Sequence, residues 1–200
     1  SGLTGTTFVS LIASDGEFTS TIRFRVRVTE QQDVPVVSGF EKTGLEDGIV
    51  SFTASDFLNN YIDEDGDDLL RIKISELPEN GTLFKGNIVV NTSTVISRST
   101  LGTLHFEGDA DWNGETTFKW IAQDSVAYSE PATVTMSLTA VNDAPVIMGI
   151  VDAQTDEDTV LDGYEFTISD PDNDPDSLTV TIQSGSTTIL KNEGISVSRS

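Results

Sequence analysis

Along most of this chain apolar and polar residues alternate in short runs. In residues 20–29, Ile22, Phe24, Val26 and Val28 fall on one side and Arg23, Arg25 and Arg27 on the other. Residues 132–141 repeat the pattern with Ala132, Val134, Met136, Leu138 and Ala140. A period of two predicts strands with one buried and one wet face, as in an antiparallel sandwich. The two runs superpose at an offset of 132 − 22 = 110 residues, which predicts that each is the last strand of its domain. Leu70, Ile72 and Ile74 match Leu178, Val180 and Ile182 at an offset of 108, predicting an early core strand in each of two repeats. Thr6-Thr7-Phe8 with Ala13 and Asp15 matches Thr116-Thr117-Phe118 with Ala122 and Asp124; the offset slips from 110 to 109, so one side carries a single-residue indel. Leu77-Pro78 followed by Gly81-Thr82-Leu83 reads as a turn entering a strand. Residues 88–90 and 101–106 supply further strands, for a total of about seven in the middle unit. No amphipathic stretch is long enough to predict a helix.

The punctuation repeats as well. Gln32-Asp33-Val34-Pro35 returns as Asn142-Asp143-Ala144-Pro145, and 145 − 35 = 110. Glu46-Asp47 follows the first and Glu157-Asp158 the second. Each is followed by a loop with Asp at alternate positions, Asp63, Asp65 and Asp67, then Asp170, Asp172 and Asp174. A repeat of this length predicts tandem domains. The expected division is residues 1–38 as the end of one repeat, 39–147 as a complete repeat, and 148–200 as the start of a third, as in a cut from a longer array. A proline after each acidic linker suits a stiff, extended crossing.

Charge narrows the function. The 33 acidic and 11 basic residues leave a net charge of −22. Nucleic acid and anionic membrane surfaces call for Lys and Arg, so neither is an expected partner. Such acidity serves either solubility through self-repulsion or the binding of cations. Clustering of the aspartates beside each proline favours the cation. The chain has no cysteine, which removes disulfides and the usual zinc ligand. No apolar run approaches the length of a membrane span.

Taken in order, Glu46-Asp47, Asp63-Glu64-Asp65-Gly66-Asp67, Pro78 with Gly81-Thr82-Leu83, Asp111-Trp112-Asn113-Gly114 with Phe118, Asp124, and Val141-Asn142-Asp143-Ala144-Pro145 resemble one bacterial cadherin-like repeat. The resemblance covers residues 41–147. It implies an all-β architecture of tandem Ig-like, cadherin-like antiparallel β-sandwiches, one complete repeat flanked by two partial ones. It also implies Ca2+ held at the domain junctions. The implied ligands are Asp15, Asp33, Glu46, Asp63 and Asp65 at the first junction, and Asp124, Asn142, Asp143, Glu157, Asp170 and Asp172 at the second. Asp47 and Asp158 are either ligands or neighbours of ligands. This sequence departs from the repeat in its first linker, where Gln31-Gln32 stands against Val141-Asn142. It departs again in Asp170-Pro171-Asp172-Asn173-Asp174, which lacks the loop glycine.

Other motifs carry less. Asp63–Ile74 starts like an EF-hand, but Asp68 stands where Gly is needed and Ile74 where a bidentate Glu is needed. Asp109–Gly114 is either a calcium loop or a polar turn, and the Asn-Gly pair favours the turn. His105, the single histidine, lies in an alternating run with no nucleophile motif around it. Arg23, Arg25 and Arg27 read first as an exposed strand face or a charged edge, and second as a contact for an acidic neighbour or an anionic glycan.

The expected function is therefore a non-catalytic, calcium-rigidified extender or adhesion segment of a large bacterial surface or secreted protein. Its partners would be calcium, neighbouring repeats, and either other copies of itself or a surface glycan. Two alternatives are a structural subunit of an extracellular filament, sheath or matrix, and a glycan-binding module using Trp112, Tyr61 and Tyr128.

Overall fold

The structure, a computed structural model, describes residues 3–29 and 31–198. It divides into two compact units, Ser1–Ala140 and Val141–Ser200.

The first unit opens with a hairpin of β1 (Gly5–Ser14) and β2 (Thr19–Val28), paired antiparallel without a break from Gly5↔Val28 to Ser14↔Thr19. A sandwich follows. Its elements are β3 (Val36–Val37), β4 (Phe40–Leu45), β5 (Ile49–Ser51), α1 (Ala54–Leu58), β6 (Tyr61–Ile62), β7 (Arg71–Glu76), β8 (Gly81–Lys85), β9 (Ile88–Val89), β10 (Val95–Ser97), β11 (Leu104–Gly108), β12 (Gly114–Gln123) and β13 (Ala132–Thr139). One sheet has the order β10-β7-β12-β13-β4, the other β5-β11-β8-β9. All ladders are antiparallel except that of β4, which runs parallel to β13. The fold is all-β, as expected from the alternation.

The alternation decides which side chains fill the space between the sheets. Ile72, Ile74, Phe118, Trp120, Ala122, Val134 and Met136 from one sheet meet Val50, Leu83, Leu104 and Phe106 from the other in one buried cluster. Rings reinforce one end of it: Phe57 stands edge-on to Trp120 (5.2 Å, 80°) and to Phe40 (5.3 Å, 89°). Each such pair adds about 1 kcal/mol beyond burial. Phe57 is delivered by α1, a helix too short for any periodicity to reveal. Its capping box is nevertheless written in Thr53-Ala54-Ser55-Asp56: the Asp56 N–H donates to Thr53 Oγ1, and Thr53 N–H donates to the Asp56 carboxylate (2.7 Å).

Several expectations need correction. Leu70 is exposed, and Leu69 fills the core in its place, because the period-two pattern begins only with β7 at Arg71. Residues 101–103 belong to a 3-10 turn, Arg98–Thr103, ahead of β11. Ala140 lies past the end of β13 and is exposed. The apolar stripe of β2 is also exposed, Ile22 at 63% and Phe24 at 50%. Among the described residues only β1 pairs with β2, and no second sheet covers that face.

Register locates the indel. The β12–β13 ladder pairs Trp120 with Ala132, but beyond it Gln123 bridges Tyr128, so one extra residue is inserted at Glu130-Pro131. The hairpin β1–β2 has no such bulge, and its β1 therefore matches β12 at an offset of 109 throughout. The counterpart of Phe118 is thus Val9 and not Phe8, which sits opposite Arg25 on the other face.

The second unit contains one short ladder, β14 (Val146–Met148) with β15 (Thr167–Ser169). The strand expected over Leu178, Val180 and Ile182 is not formed. In the sandwich its counterpart, β7, is held between β10 and β12, and no described strand of this unit offers such a ladder.

Candidate cation-binding site

The acidic loop after β6 closes on itself. Asp63 Oδ1 accepts the N–H groups of Asp65 and Asp67, both at 3.0 Å. Gly66, with a φ of 82°, completes the turn and donates to the Asp63 carbonyl. The linker ahead of β3 is tied to this loop, because Asp33 N–H donates to Asp65 Oδ2 at 2.6 Å. Pro35, two residues on, is buried.

Asp124 joins from the end of β12. Its Oδ1 accepts the N–H groups of Val126 (2.6 Å) and Ala127 (2.7 Å), and the residue is 1% exposed. Ser125 beside it donates its hydroxyl to Asp67 Oδ2 at 2.8 Å. Tyr61 stands among these groups and donates to the Asp67 carbonyl at 2.9 Å. Burial, then the carboxylates of Asp63, Asp124, Asp67 and Asp68, push its phenol up to about 12.

Two oxygens in this cluster have no use in an apo fold. Asp63 Oδ2 and Asp124 Oδ2 are both buried without a hydrogen-bond partner. Buried carboxylate oxygens are costly unless paired with a donor or a metal. Yet no three of these carboxylates bring an oxygen each within 4.8 Å of the others, as expected where like charges repel. The donor set, all oxygen and mostly carboxylate, is that of a hard cation of the calcium type.

The sequence-based grouping is rearranged here. Asp33, Asp63 and Asp65 come together as expected at the first linker. Asp124, assigned to the second junction, stands with them. Asp67, left out of the ligand set, is the residue that links loop, Tyr61 and Ser125. Glu46, assigned to the first linker, lies at the opposite end of the sandwich. Its N–H donates to the Thr139 carbonyl, and its buried side chain accepts from Asn113 Nδ2 at 3.2 Å. Asp47 lies beside it and accepts the Asp111 N–H at 3.2 Å. Asp109–Gly114 is therefore a turn docked on Glu46-Asp47. Asp15 is exposed in the β1–β2 turn, where its Oδ1 accepts the N–H groups of Glu17 (3.0 Å) and Phe18 (2.7 Å), the same arrangement that Asp124 makes.

The second unit repeats the linker geometry on its own residues. Asp143 N–H donates to Asp172 Oδ2 at 2.6 Å, and Asp170 Oδ1 accepts the Asp172 N–H at 2.9 Å. Asn142 accepts from Asn173 Nδ2 at 3.4 Å. Glu157 is exposed, next to Asp158, whose φ of 60° matches the 56° of Asp47.

A family model described as a cadherin-like domain matches residues 31–139, more than half of the sequence. The chain belongs to the cadherin-like domain family. Cadherin-like domains generally bind Ca2+, and membership fits an extracellular adhesion or structural module. Similar solved structures include an endo-fucoidan hydrolase from glycoside hydrolase family 107 (17% identity, TM-score 0.35, 68% of this chain and 19% of that one). Another is surface layer protein SbsC, domains 4-9 (16% identity, TM-score 0.30, 84% of this chain and 24% of that one). The chain spans less than a quarter of the length of either. No curated protein matches the cadherin-like chain. Among its described residues no helix is long and apolar enough to cross a membrane.

Two other sequence candidates resolve locally. His105 stacks on Phe84 (5.3 Å between centroids, 12° between planes), with Nε2 3.4 Å from Glu107 and Nδ1 3.4 Å from the Thr103 carbonyl. No serine among the described residues bonds to either nitrogen. Of the aromatics considered as glycan platforms, Trp112 packs on the core, Tyr61 belongs to the acidic cluster, and Tyr128 lies under Lys73 Nζ at 5.0 Å.

Proposed function

We propose that this cadherin-like segment is a non-catalytic, calcium-stiffened extender or adhesion segment of a larger bacterial surface or secreted protein. One observation carries the reading: the two buried, unpartnered carboxylate oxygens of Asp63 and Asp124, facing an end of the sandwich that also holds Asp33, Asp65 and Asp67. Asp33, Asp63, Asp65, Asp67 and Asp124 would hold the ion, which supplies positive charge to offset mutually repelling carboxylates. Asp33 belongs to the linker and the others to the sandwich. Holding the ion therefore fixes the direction in which the chain enters β3. The Asp143, Asp170 and Asp172 arrangement supports the same role for the second linker, and Glu46, Asp47, Asp111 and Asn113 offer oxygens at the far end of the sandwich.

Thermal unfolding in EDTA, in millimolar calcium and in millimolar magnesium tests this. Calcium at a hundred times its Kd stabilises the fold by about 2.7 kcal/mol, which raises Tm by several degrees. Identical curves in calcium and EDTA would leave the acids as solvated surface and remove calcium from the function.

A further inference from the structure

We propose that the arginine face of the β1–β2 hairpin binds a linear polysaccharide bearing carboxylate or sulfate groups. Arg23, Arg25 and Arg27 are exposed on one face of β2. Opposite them on β1 stand Ser10, Phe8 and Thr6. Alternate residues of a strand are about 7 Å apart, so the guanidinium groups form a straight row of about 14 Å. Arg23 lies over the Phe8 ring, 5.0 Å from its centroid, which holds that guanidinium in place and caps the ring.

The orientation of this face does not depend on what covers the hairpin's apolar side. Ile22, Phe24, Val26 and Val28 match Ala132, Val134, Met136 and Leu138, which face the sandwich core. The arginines match Thr133, Thr135 and Ser137, on the outer side of the five-stranded sheet. They therefore point to solvent in either arrangement.

Three arginines in one row are unusual in a chain with 33 acidic and 11 basic residues. None of them makes an ion pair with a described acid. Asp15, in the hairpin turn, has its Oδ1 taken up by the N–H groups of Glu17 and Phe18. A guanidinium fork matches a carboxylate or sulfate bidentately. The row carries hydroxyls from Thr6, Ser10 and Thr21 beside the exposed side chains of Phe8 and Ile12. An extended polyanion with sugar hydroxyls fits these features.

The test uses the whole chain on immobilised dextran sulfate, polygalacturonate and neutral dextran at low salt. Dextran sulfate reads sulfate chemistry and polygalacturonate reads carboxylate chemistry. The expected result is binding to at least one charged polymer, none to dextran, and about a tenfold or larger loss in the triple Arg→Gln variant. The triple Arg→Lys variant, which keeps charge and loses the fork, should fall between the two. Unchanged circular dichroism and an unchanged calcium response would exclude misfolding, and the outcome is independent of the cation site. Equal binding by wild type and the Gln variant, or no binding to either charged polymer, would overturn the proposal. So would a wild-type dimer in sedimentation that the Gln variant abolishes, since the face would then serve self-association. Preference for single-stranded DNA over both polysaccharides would overturn it as well.

Discussion

Asp124 does two separable things. Its Oδ1 holds the β12–β13 turn through two N–H groups, while its buried Oδ2 meets no donor. Asp124→Asn keeps the first function and removes the charge needed for the second. In EDTA this variant should melt no lower than wild type, because one of several crowded buried charges is gone. Its stabilisation by calcium should fall by more than half. A calcium response equal to wild type, read by calorimetry, would take Asp124 out of the site. Tyr61 offers an independent reading. Its pKa is raised from 10.0 to about 12, so the folded state prefers the neutral phenol. That preference contributes stability below pH 10 and loses it as pH climbs toward 12. Burial raises it most and the neighbouring carboxylates add to the rise; a bound cation offsets that second contribution, so calcium should move the Tyr61 midpoint down. Absorbance titration of wild type against Tyr61→Phe isolates it from Tyr128 and Tyr164, and an unmoved midpoint would place the ion elsewhere.

Among the elements, the two hairpins show how one sequence pattern is used twice. Both place an Asp in the turn, and both open on a glycine with positive φ, 145° at Gly5 and 134° at Gly114. Only β12–β13 carries the bulge at Glu130-Pro131. There Ser129 bridges the gap: its Oγ accepts the buried Ala122 N–H at 2.9 Å and donates to the Glu130 carbonyl at 2.9 Å. Ser129→Ala strands that N–H and should cost about 2 kcal/mol, measurable by urea unfolding. A cost near zero would mean that water or a ladder shift replaces the hydroxyl. The bulge was legible in sequence only as an indel of unknown position, since a register shift is a property of two strands together. The exchange of Phe8 for Val9 as the core counterpart follows from the same limit.

Across the chain, burial is uneven. Fully buried residues belong to the sandwich, and among the described residues of Val141–Ser200 none is buried. Amides of β7, β12 and β13 should therefore exchange hydrogen slowest, near the global unfolding limit. Those of β14, β15 and the β1–β2 hairpin should exchange orders of magnitude faster. Comparable protection in all three regions, read by mass spectrometry, would contradict a stability concentrated in residues 36–139.

Alternation, linker punctuation and the recurring acids were legible in the chain because each is local. The pleat sends neighbouring side chains to opposite faces, and a proline or an Asp-rich turn acts over a few residues. Which acids meet is not local. Asp124 ends β12, and β12 runs antiparallel to β7, with Gln123 opposite Arg71. That direction brings Asp124 back to the Asp63 loop, at the end of β12 opposite to Gly114 and its partner Leu138. Glu46 ends β4, which runs parallel to β13, with Leu45 opposite Thr139. Glu46 is thereby carried to the far end of the sandwich, although only thirteen residues separate it from Asp33 (46 − 33 = 13). Strand direction is set by packing between segments up to about a hundred residues apart. For that reason the ligand types could be read from the sequence, while their partners were decided by the fold.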